Sequence, residues 1–247
     1  MRPVLEAVLA PDVEPGTRAF IVGNGKSLKP DQLNKLHANH EVSFGVNRIH
    51  LIYGGTAWRP DYWLLTDLDG KKVYVDDIPL HAKQNYKCYV RCDIMARCLV
   101  VWLGAVPKEE IWEMLNNINP LDAVNNIQLE DRITRDPWED GKYNQGGSVA
   151  AAQQLALAWG YNPVYMIGCE GGLKAKANNH FKEQYADVSL DNRNPAQMEA
   201  ANDILQIADE IALREYNARD VEIYNATMGG SKRNAIPLVD FWELFDD

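Results

Sequence analysis

The chain has 247 residues, 46% of them hydrophobic and 24% charged, and a formal net charge of −10 at pH 7. That length supports one sizeable α/β core, and no run of about 18 apolar residues offers a transmembrane helix. An acidic surface repels a phosphate backbone, so general nucleic-acid binding is not expected, whereas a small phosphorylated ligand held by backbone dipoles remains compatible with it.

The stretch from Met1 to Pro15 is apolar but carries Glu6, Asp12 and Glu14 and lacks a basic n-region. It reads as a leader strand or arm rather than a signal peptide, and the protein as cytoplasmic. Strand-like runs then follow at Arg18–Val22, Glu41–Val46, Asp61–Thr66, Tyr86–Val90, Cys98–Leu103, Pro163–Ile167 and Val221–Tyr224. All are short, rich in Val, Ile, Tyr and Trp, and bounded by Gly, Asn or Asp. Helices are expected between them: Pro30–His37, Lys108–Asn116, Ser148–Trp159 stopped by Gly160, and Asn194–Tyr216 with Asn194 as N-cap and Pro195 at the first position. This alternation predicts an α/β, Rossmann-like, mainly parallel sheet with helices on both faces, forming a single nucleotide-binding domain over 1–247. The polar stretch 117–143 breaks the rhythm, and 171–193 is a second long irregular segment, read as a lid-like insertion.

The four cysteines, Cys88, Cys92, Cys98 and Cys169, contain no C-x-x-C pair. They are expected to be reduced thiols, and zinc is not expected.

Chemistry is expected at the carboxyl ends of the strands, where parallel sheets bind ligands. Those ends read Gly23-Asn24-Gly25, Asn47-Arg48, Asp67-Leu68-Asp69, Gly168-Cys169-Glu170 and Asn225-Ala226-Thr227. The first is a strand feeding a Gly-Asn-Gly turn, with Ser27 opening the next polar segment. Such a loop can aim backbone N–H groups at a phosphate. Its spacing is neither the dinucleotide fingerprint nor the P-loop. Gly147 and Ser148 open the Ala-rich helix, where Ser148 is an N-cap, a phosphate contact, or both. Asp67 and Asp69 are either a Mg²⁺ pair or turn carboxylates before Gly70. His180, in Asn178-Asn179-His180-Phe181, is the histidine flanked by site-like residues, and is either a general base or incidental. No Ser-His-Asp or Cys-His nucleophile arrangement is evident.

These residues resemble a family. Ile21-Val-Gly-Asn-Gly-Lys-Ser-Leu28 is similar to the Gly-Asn-Gly-Pro-Ser-Leu motif of bacterial sialyltransferases from lipooligosaccharide loci. Their relatives, the 6-hydroxymethylpterin diphosphokinase-like and flagellin motility-accessory proteins, share it. Lys26 replaces the usual proline. Asn47 matches a ligand-binding Asn, and Gly147-Ser148 with Val164-Tyr-Met-Ile-Gly168 resembles the family's Ser-Gly helix and next strand. Glu170 stands where Asp is commoner. His180 resembles the catalytic-base histidine, and Asn225-Ala-Thr-Met-Gly-Gly-Ser231 is closest to the diphosphokinase-like and motility-accessory branch. The resemblance covers roughly 17–70 and 143–245 and leaves 71–142 as a family-divergent region.

The resemblance implies a transferase. The leading reading is a glycosyltransferase taking a CMP-linked sugar donor and an acceptor the sequence does not name. The phosphate would lie over Gly23–Gly25 and Ser148, with Asn24 and Asn47 on the ligand and His180 as base on the acceptor hydroxyl. Tyr143 or Tyr185 would steady the leaving phosphate, and no cofactor is required. The alternative is a Mg²⁺-ATP diphosphokinase of a hydroxymethyl heterocycle with Asp67 and Asp69 at the metal. The third is a nucleotide- or glycan-binding module without turnover. Family members commonly form homo-oligomers. The aromatic C-terminus, Phe241-Trp242-Glu-Leu-Phe245, either docks a neighbour or packs on its own sheet.

Overall fold

The computed structural model describes residues 12–65, 87–90, 147–174, 179–182, 194–229 and 232–246. Strands β1 (Ala19–Val22), β2 (Val42–Val46), β3 (Tyr62–Leu65), β4 (Lys87–Val90), β5 (Val164–Ile167) and β6 (Ile223–Asn225) form one sheet in the order β4-β3-β2-β1-β5-β6. Every pair is parallel. The chain therefore runs outward from β1 to β4 and then returns to the other side of β1. The reversal leaves a topological switch point between β1 and β5, the place where such sheets open a crevice.

Side chains alternate across the sheet as the strand period requires. Phe20 and Val22 pack on one face with Leu33, Leu36, Ile49, Ile52, Trp58 and Phe241. Ala19 and Ile21 face the other way, against Ala152, Leu155, Ala156, Ala212 and Tyr216. Both central strands, β1 and β5, are buried along their whole length, as strands covered on two faces must be.

Helix α1 (Pro30–Ala38) covers the first face, with Pro30 in its first turn and Lys29 N–H held by Gln32 Oε1 at 3.1 Å. Helices α2 (Gly147–Ala158) and α3 (Pro195–Asn217) cover the second. Two of their ends follow from sequence alone. Asn194 accepts from Gln197 N–H and donates its own N–H to Gln197 Oε1, each at 2.9 Å, a reciprocal cap on α3. Gly160, at φ +84°, ends α2. Its N–H bonds Leu157 O and Tyr161 N–H bonds Ala156 O, the paired bonds that only a left-handed residue permits.

Two 3₁₀ segments, Ile49–Gly55 and Trp242–Phe245, were not expected. The second settles the C-terminal aromatics on the protein's own sheet. Phe241 is buried, and Phe245 stacks on Phe20 with centroids 6.0 Å apart. Arg18 fastens it, donating to Leu244 O at 2.9 Å and lying 4.9 Å from the Phe245 ring. The expected strand Cys98–Leu103 and helix Lys108–Asn116 lie outside the described residues, as do most of 71–142 and much of the 171–193 segment. No helix among the described residues is long and apolar enough to cross a membrane.

Candidate functional site

The site grows out of the switch point. Gly23 continues β1, and its N–H bonds Ile167 O of β5 at 2.8 Å. Gly25 N–H bonds Gly168 O, also at 2.8 Å, so the Gly-Asn-Gly turn is laced to the exit of β5. The glycines are there for space. A Cβ on Gly23 would stand 2.4 Å from Gly168 O, and one on Gly25 would stand 1.4 Å from Glu170 Oε2. Gly168 itself takes φ +64°.

Glu170 reaches into this loop, where its Oε1 accepts a short hydrogen bond from Ser27 N–H. The phosphate-cradle expectation for Gly23–Gly25 meets a different arrangement. The N–H groups of Gly23, Gly25 and Ser27 are all committed to protein acceptors, and the anion beside the loop is the protein's own carboxylate.

Asn24 stands between these glycines, 8% exposed. Its Nδ2 donates to Val46 O at 2.9 Å, while its Oδ1 is buried with no hydrogen-bond partner. An unsatisfied buried acceptor is costly, so each needs an explanation, a bound donor being one. The next residue after Val46 is Asn47, in the left-handed region at φ 49°. Asn47 is pinned on three sides. Its N–H bonds Leu64 O at 2.9 Å, its O accepts from Trp63 Nε1 at 2.6 Å, and its Oδ1 accepts from Ser148 Oγ at 2.7 Å. Ser148 is the second residue of α2, so the exit of β2 is tied to a helix start, where the helix dipole favours negative charge.

The His180 segment comes to the same place. Phe181 N–H donates to Asn24 O at 3.0 Å, which sets His180 next to the backbone of the Gly-Asn-Gly turn. Thus Asn24, Asn47, Ser148 and the residue after His180 form one connected set across β1, β2, α2 and the segment beyond β5. Gly147, at φ +70°, precedes Ser148.

Asn225 and Thr227 serve a different end. Thr227 Oγ1 accepts from Cys169 N–H at 3.0 Å, and Asn225 Oδ1 accepts from Thr227 N–H at 3.1 Å. Both residues are buried, and they fasten the exit of β6 to that of β5. Cys169, buried at this junction, has its thiol pushed up to about 12 by burial, which disfavours the thiolate at neutral pH. Asp67, Asp69, Tyr143 and Tyr185 lie outside the described residues. Among the described residues no group of three or more His, Cys, Asp or Glu is placed to hold a metal ion.

Sequence reading missed two contributors. Trp63 orients Asn47 through its indole N–H, but a Trp inside a strand reads only as core. Arg233 and Asp209 form a buried ion pair beneath the β5 exit, with Arg233 Nε 2.6 Å from Asp209 Oδ2. Gln153 Nε2 donates to the same Asp209 at 3.0 Å, which links α2, α3 and the 232–234 segment.

No protein-family model matches the chain, and no curated protein matches it in sequence. Solved structures do match in shape. One is the sialyltransferase CstII from Campylobacter jejuni, in complex with a substrate analogue, cytidine-5'-monophosphate. It is 14% identical, with 93% of this chain and 87% of that one covered and a TM-score of 0.48. Another is the MAf glycosyltransferase from Magnetospirillum magneticum AMB-1, also 14% identical, with a TM-score of 0.50. That match covers 94% of this chain and 35% of the other, so this chain spans about a third of that protein's length. At this level of identity the second match supports the fold alone, a parallel α/β sheet.

Proposed function

We propose that the protein is a glycosyltransferase that uses a nucleotide-activated sugar, CMP-linked on the strength of the motif resemblance. The observation that carries this reading is the connected set at the switch point, with the buried, partnerless Asn24 Oδ1 at its centre. A ribose or sugar hydroxyl would give that oxygen its missing donor. The donor's phosphate would lie towards Asn47 and Ser148 at the start of α2, where the helix dipole favours it and the Ser148 hydroxyl would turn from Asn47 Oδ1 to meet it. His180, held at the turn through Phe181, would take the proton of an acceptor hydroxyl as its oxygen attacks the anomeric carbon and the nucleotide phosphate leaves. The reaction would occur in the cytoplasm, and no metal is needed in this scheme because hydroxyls and dipoles can stabilise the departing charge.

Thermal-shift measurements with CMP, CDP, UDP, GDP, ADP and ATP, each with and without Mg²⁺, test the donor. Stabilisation by a cytidine nucleotide without metal is expected. Stabilisation by ATP only with Mg²⁺ would replace this reading with the diphosphokinase. With the donor in hand, His180→Ala is expected to cut turnover by about 10²–10⁴-fold while nucleotide binding persists. Unchanged turnover would remove His180 from the mechanism, and binding without any turnover in the wild type would leave a binding module.

A further inference from the structure

A cavity of about 400 Å³ lies between α3 and the segment that leaves β5, and none of Asn24, Asn47, Ser148 or His180 lines it. Its walls include Asn202, Asp203 and Gln206 of α3, Lys174 of the β5 exit, and Lys232 and Asn234.

The walls are held from behind. Asn202 Oδ1 accepts from Leu173 N–H at 2.7 Å and its Nδ2 donates to Leu173 O at 3.0 Å, which clamps the exit segment to α3. Lys232 N–H bonds Glu170 O at 2.7 Å, and its neighbour Arg233 is locked by Asp209. Gly172, at φ +62°, leaves the space in which the Lys232 stem lies, since a Cβ there would stand 2.5 Å from Lys232 Cδ.

The chemistry of the lining is specific. Lys174 and Lys232 are exposed, and among the described residues neither ammonium is in an ion pair, although the protein as a whole carries −10. They invite an anion. Gln206 Oε1 is buried without a hydrogen-bond partner, and the Asp203 carboxylate is a second acceptor on the same wall. These two invite hydroxyl donors and discourage a bare polyanion. Ligand pockets of this size are usually apolar, whereas here the polar and charged side chains outnumber the two apolar ones, Leu173 and Leu205. We propose that this cavity binds an anionic sugar, its phosphate or carboxylate between Lys174 and Lys232 and its hydroxyls donating to Gln206 Oε1 and Asp203. The inference stands on these residues alone and holds whether or not the chain transfers a sugar.

Isothermal titration of the full chain with glucose 6-phosphate, glucuronate, inorganic phosphate and glucose tests it. Saturable binding of at least one of the two anionic sugars is expected, at least about tenfold tighter than phosphate or glucose. The tighter of the two identifies the headgroup. Lys174→Gln with Lys232→Gln should weaken that binding at least about tenfold, the worth of a charge-assisted contact, while the thermal shift with CMP stays as in the wild type. Gln206→Leu should weaken the sugar and leave phosphate unchanged. Failure of both anionic sugars to saturate, phosphate binding as tightly as glucose 6-phosphate, or wild-type affinity in the double lysine variant would each overturn the proposal.

Discussion

Gly25→Ala tests the central geometric feature of the site, the carboxylate that fills the loop. The new Cβ would stand 1.4 Å from Glu170 Oε2 and 2.4 Å from Glu170 Cδ, so one of the two must move. Gly25 is not among the left-handed glycines, so Ala fits its backbone. The atoms in the way are the far end of a flexible side chain, which can swing out at the cost of its bond to Ser27 N–H. A hydrogen bond to a charged group contributes about 1.5–3 kcal/mol, and a half-buried one belongs at the lower end. Replacing Gly by Ala at a compatible site returns about 0.4–1 kcal/mol through the unfolded chain. Gly25→Ala should therefore cost about 1 kcal/mol and Glu170→Ala about 1.5–2 kcal/mol. For a chain of this size, the latter is a fall in Tm of roughly 3–8 °C. The two costs must not add, because both variants lose the same bond. In the Glu170→Ala background, Gly25→Ala should be neutral or stabilising, giving a coupling of about 1–2 kcal/mol in a double-mutant cycle. Urea denaturation of the four proteins measures it. Additive costs would show that Glu170 does not occupy the loop.

Three further outcomes follow from neighbouring contacts. Gly23→Ala puts a Cβ 2.4 Å from the backbone Gly168 O, which has nowhere to rotate. It should cost about 3 kcal/mol or more, unrelieved by Glu170→Ala; a Tm within 2 °C of the wild type, about the shift of 1 kcal/mol, would refute the close approach of β1 and β5. Asp209→Ala removes the carboxylate that the buried Arg233 guanidinium binds through two nitrogens, at a cost of about 3–5 kcal/mol by urea denaturation; a loss under about 1 kcal/mol would contradict the buried pair. Desolvation by burial raises the Asp61 carboxyl above 3.8, although Ser43 N–H and Oγ donate to it. A raised folded pKa means a contribution fully present below 3.8 and lost as pH rises through the folded value. The stability of the wild type relative to Asp61→Asn should fall over that rise, and a difference flat with pH would refute the raised value.

What could be read from sequence was what is local. Asn194-Pro195 and Gly160 name the ends of α3 and α2 because a cap and a left-handed stop are decided within a few residues. That the polar strand exits share one edge could be read as well, because a parallel sheet puts all its carboxyl ends on one side. Its wiring was hidden. Glu170 meets Ser27 across 143 residues of chain, and Ser148 meets Asn47 across 101. Neither contact leaves a periodicity or a spacing. The aromatic C-terminus was open between docking a neighbour and packing inward, and the Arg18 bond to Leu244 O, 226 residues away, accounts for the inward course. Gly25 illustrates the same limit. A phosphate over Gly23–Gly25 needs the space beside it, and Glu170, distant in sequence, takes that space.

That occupancy bears on how the proposed donor lies. A phosphate over the Gly-Asn-Gly turn would face the Glu170 carboxylate. Two like charges about 4 Å apart repel by about 4 kcal/mol at an effective dielectric of 20. The turn has little to set against this, since the N–H groups of Gly23, Gly25 and Ser27 already have acceptors. At the start of α2 the balance is reversed. The dipole there contributes about 0.3–1 kcal/mol in favour of an anion with no carboxylate facing it, and the Ser148 hydroxyl, which donates to Asn47 Oδ1, has only a neutral acceptor to leave. Glu170 at the turn and the partnerless Asn24 Oδ1 within it are instead both acceptors, suited to hydroxyl donors rather than to phosphate oxygens. Under the proposed function, electrostatics would therefore set the hydroxyl-bearing part of the donor towards Asn24 and Glu170 and its charge towards the start of α2.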